Sequence, residues 1–273
     1  MEYEIKPKNK FSIGLAELWH YRELFYFFTW RDIKVKYKQT LLGFLWAILQ
    51  PIVMTLLLTF SLGKIIAENA TLNMPYPLFA ISGLVIWNIF SSGLANAGNS
   101  MVINSNIIKK IYFPRLIIPI SAILVSLFDF LMAFIVFIGM LIYYKTPISI
   151  PDFILFLPVS LCITCIATFG MGCWLAALNI KYRDFRYLIP FIIQGLLFLS
   201  PVIYPIELIN TVHLKYVFAL NPMYAAIEFF RHAFTMQAFE TDLILISVFS
   251  SLLFFIVGLF HFRKTESYFA DLA

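Results

Sequence analysis

Apolar residues run through this chain in six long blocks, and charged residues are confined almost entirely to the gaps between them. The blocks are Leu41–Gly63, Leu78–Ala97, Leu116–Tyr144, Phe153–Ile180, Leu188–Ile206 and Leu243–Phe262. Each has the length that a helix rising ~1.5 Å per residue needs to cross a hydrocarbon core ~30 Å thick. The first begins abruptly: Arg31, Lys34, Lys36 and Lys38 crowd its approach, and no charge follows from Thr40 to Gly63. Gln50–Pro51 interrupts it, which predicts a kink or a polar lining, because proline frees a backbone carbonyl. After the second block the chain decays into GNSMVINSNIIKKIYFP (98–114), predicting a helix end, a turn and a short helix Asn104–Tyr112 stopped by Pro114. Loops are predicted at 64–77, 145–152 and 181–186. The fifth block holds Pro190, Pro201 and Pro205, and its SPVIYP run cannot be regular helix. Beyond it, Tyr216–Leu220 and Met223–Met236 are too short to span, and the second carries Glu228, Arg231 and His232 among phenylalanines. The pattern predicts a re-entrant or interfacial pair of short helices. Upstream, Leu15–Lys38 mixes Trp and Phe with Arg and Lys at helical spacing, the pattern of an amphipathic helix lying in the membrane interface. Either a plain anchor or a docking surface for a cytoplasmic partner fits it.

Charge placement orients the set. Sixteen of the twenty Lys and Arg residues fall before the first block, in the 104–115 and 181–186 connections, or after the last block. Lys64, Lys145, Lys215 and Arg231 fall on the other side. Cytoplasmic loops carry the excess of Lys and Arg, so both termini are expected inside. With 61% hydrophobic and 13% charged residues the chain reads as an all-α polytopic membrane protein of six spans. Residues 1–40 form a cytoplasmic tail and interface helix, 41–263 the transmembrane domain and 264–273 a cytoplasmic tail. No cleavable signal peptide is expected, because no short apolar core follows the basic start.

Candidate chemistry is sparse. No phosphate-binding G-x-x-x-x-G-K-[ST] motif, H-E-x-x-H or G-x-S-x-G occurs, so neither an ATPase site nor a hydrolase site is expected on this chain. Catalytic residues, a metal and a nucleic-acid partner are likewise not expected. Cys162, Cys165 and Cys173 lie in one apolar block with no histidine nearby and read as packing residues. Asp129 is the one carboxylate at membrane depth. It is either a substrate or proton contact, or a hydrogen-bonded group inside the bundle.

Three runs together carry a family likeness: WRDIKVKYKQTLLGFLWAILQP (30–51), NSNIIKKIYFPRLIIPI (104–120) and NPMYAAIEFFRHAF (221–234). They resemble ABC exporter permeases that move bacterial surface polysaccharides, and the likeness covers nearly the whole chain. It implies a homodimer of six-span subunits in the bacterial inner membrane, paired 2:2 with separate ATP-binding subunits that carry ATP and magnesium. The implied substrate is a lipid-linked glycan: O-antigen, with teichoic acid or capsule as alternatives. On this sequence the resemblance implies ATPase contacts at Asn104, Ile108, Lys109, Lys110, Tyr112 and Phe113, with 181–186 a weaker second contact. It implies lipid-headgroup contacts at Arg31, Lys34 and Lys38. An outer gate is implied in 201–236, with Tyr204, Asn221, Pro222, Glu228 and Arg231. Channel lining is implied for the helical stripes Trp46–Gln50 and Tyr187–Phe191–Gln194–Phe198, where aromatic rings can stack on sugar faces and Gln can meet hydroxyls.

Three rivals remain. A drug or small-molecule exporter permease would share the topology. A membrane-embedded glycan-assembly enzyme would need catalytic carboxylates or arginines in its outer loops, which are short here. An anchoring subunit would bind a partner and move nothing. No residue pattern reads glycan identity or length, or whether the ATPase partner carries a carbohydrate-binding domain.

Overall fold

The computed structural model describes residues 15–38, 43–70, 72–182, 184–236, 238–266 and 269. Among the described residues are α1 (Leu15–His20), α2 (Arg22–Lys38), α3 (Leu45–Asn69), α4 (Tyr76–Ile103), α5 (Ser105–Ile108) and α6 (Ile117–Tyr144). Then follow α7 (Ile150–Lys181), α8 (Phe185–Phe198), a 3-10 turn at Ile206–Leu208, α9 (Val212–Ala219), α10 (Met223–Thr235) and α11 (Thr241–Glu266). Helices α3, α4, α6, α7 and α11 are long and apolar enough to cross a membrane. The chain is an all-α, multi-pass membrane protein.

Helix α4 is the axis of the bundle. Nineteen of its 28 residues are buried, against five of 25 in α3. It packs chiefly against α7 and α6, with α3, α10 and α8 completing the wrap. Close packing between α7 and α11 depends on two glycines. A methyl group at Gly170 or Gly258 would overlap the backbone of the opposite helix. Small residues that let backbones approach are the usual adhesive between helices in lipid, where burial of apolar side chains supplies little drive. Hydroxyls buried in the bundle return to nearby carbonyls, as Thr164 does to Ser160 and Thr168 to Thr164.

Several expected boundaries shift, each for a local reason. The interface helix breaks at Tyr21 into α1 and α2. The first span extends past Gly63 to Asn69, carrying Lys64 and Glu68, which approach at i, i+4 on an exposed turn. Its expected start at Leu41, and the proposed domain boundary at 40/41, lie outside the described residues, as do the N-terminal tail 1–14 and Arg183. Helix α3 continues through Pro51, and the Thr55 hydroxyl donates to the Pro51 carbonyl. The polar stretch after Ala97 does not decay but stays helical to Ile103, because Asn179 of α7 donates to the Gly98 carbonyl and to Asn99. The helix expected over Asn104–Tyr112 shrinks to the single turn of α5.

The expected fifth span is the one that regular helix covers only in part. Helix α8 has 14 residues, about 21 Å of rise and short of a ~30 Å core. Residues 199–205 continue without regular helix. Helices α9 and α10 are also too short to span. At the chain's end α11 runs beyond Phe262, and Phe269 packs in the interior against Phe262 with the Arg115 guanidinium over its ring.

Candidate functional site

The connection 104–116 and the end of α7 mark a basic end of the bundle, with Lys109, Lys110, Arg115 and Lys181. Helix α2 lies against this end and along the first half of α6. Phe28, Ile33 and Tyr37 turn inward, while Trp19, Tyr26, Phe27 and Trp30 stay exposed. Tyr26 stacks on Trp30, and the Lys34 ammonium sits over the Trp30 ring. Aromatic rings flanked by cations on one face suit the membrane interface.

Two residues that the sequence assigns to different roles meet here. Arg31 Nη2 donates to Asn104 Oδ1 at 2.8 Å, and Asn104 Nδ2 donates to the Ser100 carbonyl. Phe28 contacts Phe113 and also lies under the Arg31 guanidinium. Helix α2 is therefore fastened to the 104–113 segment. Within that segment Ile108 and Phe113 point into the core at 6% and 4% exposure, leaving Lys109, Lys110, Ile111 and Tyr112 on the surface. Of the six residues expected to meet a partner, Lys109, Lys110 and Tyr112 are exposed, and Asn104, Ile108 and Phe113 are buried. Lys34 and Lys38 are exposed, and Arg31 is half-buried against Asp32 and Asn104.

Farther along α2, Lys36 Nζ lies 2.5 Å from Asp129 Oδ2, and the Tyr37 hydroxyl donates to Asp129 Oδ1. Burial, then the hydrogen bond and charge of Asp129, hold the Tyr37 phenol well above its ordinary value, so it remains a donor. Asp129 is therefore a paired group that ties α6 to α2. It also borders a partly open cavity of about 450 Å³. Trp46 and Gln50 of α3 form one wall, and Asn88, Ser91 and Ser92 of α4 form another. Asn88 lies 12 residues along α4 from Tyr76, roughly 18 Å into the bundle. The cavity thus sits at membrane depth.

The second stripe is on α8. Tyr187, Phe191, Gln194 and Phe198 are all exposed on one face, while Ile189 on the other packs at Gly98. Trp46, Gln50 and Leu57 line an exposed face of α3 in the same way.

The model of the family described as ABC-2 type transporter matches residues 23–235. The chain belongs to the ABC-2 type transporter family. It is 28% identical to an O-antigen export system permease protein RfbA of Klebsiella pneumoniae, over 97% of this chain and 98% of the relative. An RfbA permease of Myxococcus xanthus is 26% identical over 77% of the chain and 79% of its own length. The polysialic acid transport protein KpsM of Escherichia coli is 27% identical over 74% and 78%.

At the opposite end of this ABC-2 protein, Asn221, Pro222 and Arg231, three of the residues expected to form a gate, are buried, and Tyr204 and Glu228 are half-buried. Arg231 is 2% exposed. Its guanidinium donates to Ser82 Oγ and to the carbonyls of Pro201 and Phe79, and lies 3.6 Å from the centre of the Phe79 ring. Glu228 stands 3.8 Å away. Asn221, also buried, accepts from Met223 N at the start of α10 and donates to the carbonyls of Leu196 and Leu199 at the end of α8. The Tyr204 hydroxyl donates to the Phe198 carbonyl. The uncapped end of α8 is thus satisfied by side chains from the 201–236 block.

Sequence reading missed Lys36, Tyr37, Asn88, Ser91 and Ser92 as members of one site. The polar triad of Asn88, Ser91 and Ser92 at the middle of an apolar block was the available signal. Among the described residues no group of three or more His, Cys, Asp or Glu is placed to hold a metal.

Proposed function

We propose that this chain is the membrane subunit of an ATP-driven exporter that moves a lipid-linked polysaccharide, O-antigen by preference, out of the bacterial cytoplasm across the inner membrane. The observation that carries it is the end-to-end similarity to an O-antigen export permease. The exposed stripes of α3 and α8 support it: both are apolar and aromatic with an amide in each, and neither is covered within one copy. Two copies face each other through these stripes and enclose a conduit from which lipid is excluded. Membership of the ABC-2 family implies an ATP-binding partner, and ATP and magnesium belong to that partner. Lys109, Lys110 and Tyr112 meet it, so both termini are cytoplasmic. The exposed Lys34 and Lys38 attract the anionic headgroup of the lipid carrier. The 201–236 block, re-entrant from the far side, closes the conduit.

A route for the stroke follows from the contacts. Force on the 104–112 loop reaches α2 through Asn104–Arg31 and Phe113–Phe28, and reaches α6 through Lys36–Asp129. Rigid elements joined in this way shift together, as packed helices do in switching proteins.

The test is ATP hydrolysis by the permease copurified with its ATPase and reconstituted in lipid. Lipid-linked glycan from the producing cells is expected to stimulate turnover severalfold. Failure to recover any ATPase partner, or stimulation by apolar drugs and not by glycan, overturns the reading.

A further inference from the structure

Polar groups with unspent hydrogen-bonding capacity line the cavity between α2, α3, α4 and α6. The primary amides of Gln50 and Asn88 make no hydrogen bond among the described residues. Each offers two donors and one acceptor oxygen. Ser92 donates to the Asn88 carbonyl at 2.6 Å and Ser91 does so at 3.4 Å, so both hydroxyl oxygens can still accept. Asp129 accepts from Lys36 and Tyr37, one bond to each oxygen, and keeps further lone pairs. At membrane depth unsatisfied polar groups are costly, and they persist where they line a pathway or a ligand. Trp46 adds a flat apolar wall, with 55% of its surface exposed.

Charge narrows the ligand. Among the described lining residues are one cation, Lys36, and one carboxylate, Asp129, and they neutralise each other. A diphosphate would need cations not already paired. A neutral ring bearing several hydroxyls on its edge and apolar C–H groups on its face matches two amides, a carboxylate, two hydroxyls and an indole. The volume, about 450 Å³, lies within the ~300–1,000 Å³ of small-molecule sites.

We propose that this cavity is a binding subsite for one uncharged sugar unit of the exported chain, held by Gln50, Asn88 and Asp129 against Trp46. The proposal rests on the exporter reading and adds to it a defined ligand position, off the stripe of α8.

The experiment uses the full complex with its ATPase in lipid nanodiscs. Cysteines are placed singly at Ser92→Cys, which is nearly isosteric and leaves both amides, and at Gln50→Cys, which leaves Asn88. The background carries Cys162→Ser, Cys165→Ser and Cys173→Ala. The rate of alkylation by N-ethylmaleimide is followed with two probes. One is glycan released from its lipid by mild acid, and the other is polyprenyl diphosphate without sugar. Glycan at four times its dissociation constant is expected to slow alkylation about fivefold at both positions by occupancy alone. The diphosphate is expected to leave both rates unchanged. No protection by glycan at either position would mean a water-filled cavity and overturns the subsite. Protection by the diphosphate in place of glycan overturns it in favour of a headgroup site. Wild-type ATP hydrolysis with intact lipid-linked glycan is run in parallel. Stimulated turnover with unprotected cysteines removes the subsite and leaves the exporter reading standing, whereas unstimulated turnover removes the exporter reading itself.

Discussion

Arg231 joins three parts of the chain with one guanidinium: α10, which carries it, the start of α4 through Phe79 and Ser82, and the irregular segment at Pro201. The fork geometry is what allows this, because each nitrogen points at a different acceptor. Lysine has one compact ammonium on a flexible stem and cannot reach all of them. Arg231→Lys is therefore expected to cost about 3 kcal/mol or more, leaving carbonyls buried without partners. Glu228→Gln is expected to cost under about 1 kcal/mol, since its carboxylate is beyond hydrogen-bond range of the guanidinium and partly exposed. Thermal unfolding of the purified protein in nanodiscs separates the two. Equal losses would mean that the ion pair, and not the carbonyl set, holds the block. Arg231 also shows what a sequence conceals. As a charge between phenylalanines it is conspicuous, yet its partners Ser82 and Phe79 stand 149 and 152 positions away.

At the scale of elements, α7 and α11 meet backbone to backbone at Gly170 and Gly258, whereas Gly139 on α6 has open space around it. Gly258→Ala is expected to destabilise by about 1–3 kcal/mol or to abolish folded yield, as overpacking does. Gly139→Ala is expected to be neutral or to stabilise by up to about 1 kcal/mol, because glycine is the poorer helix residue. Size-exclusion profiles and thermal unfolding of both variants test this. A second element-level prediction concerns the fastening of α2. Asn104→Ala removes the acceptor of Arg31 and is expected to weaken the 105–112 turn by about 1.4 kcal/mol, seen as roughly tenfold faster amide exchange there. Unchanged exchange would show that Phe28 and Phe113 suffice. Helix ends were the least legible feature of the sequence. The polar run 98–103 looks like a fading helix end because Asn, Gly and Ser are poor helix residues in isolation, and it stays helical because Asn179 and Ile189 pack on it.

Taken whole, one copy of this protein leaves Tyr187, Phe191 and Phe198 on α8, and Trp46 and Leu57 on α3, without cover. Phe191 is 74% exposed. If a second copy covers this face, native mass spectrometry from lipid-like detergent gives twice the 31.6 kDa chain mass. Phe191→Arg is then expected to shift the distribution strongly toward single copies, because a charge at the centre of a membrane interface costs about 2.5–3.5 kcal/mol. A wild-type single copy would leave the stripes facing lipid and remove the shared conduit. Circular dichroism of the variant confirms that its helices are intact.

The local pattern of this chain determined that it is helical, multi-pass and basic at one end, and it marked five of the membrane helices. Those properties are legible because lipid imposes them locally. A backbone in hydrocarbon must satisfy its own hydrogen bonds, so a long uncharged run is a helix whatever surrounds it. Hydropathy could not decide how far α8 runs, since SPVIYP is uncharged like the second half of the helix before it. Proline chemistry and Asn221, folded back from 22 or more positions on, end it at Phe198. Only the tertiary structure turned Asp129 from a lone carboxylate into a partner of Lys36 and Tyr37, more than 90 positions away. It alone gathered Trp46, Gln50, Asn88 and Ser92 around one cavity. Residues on two helices line one cavity only through the crossing of those helices, and crossings are set by side-chain shape at contacts that no window along the chain contains.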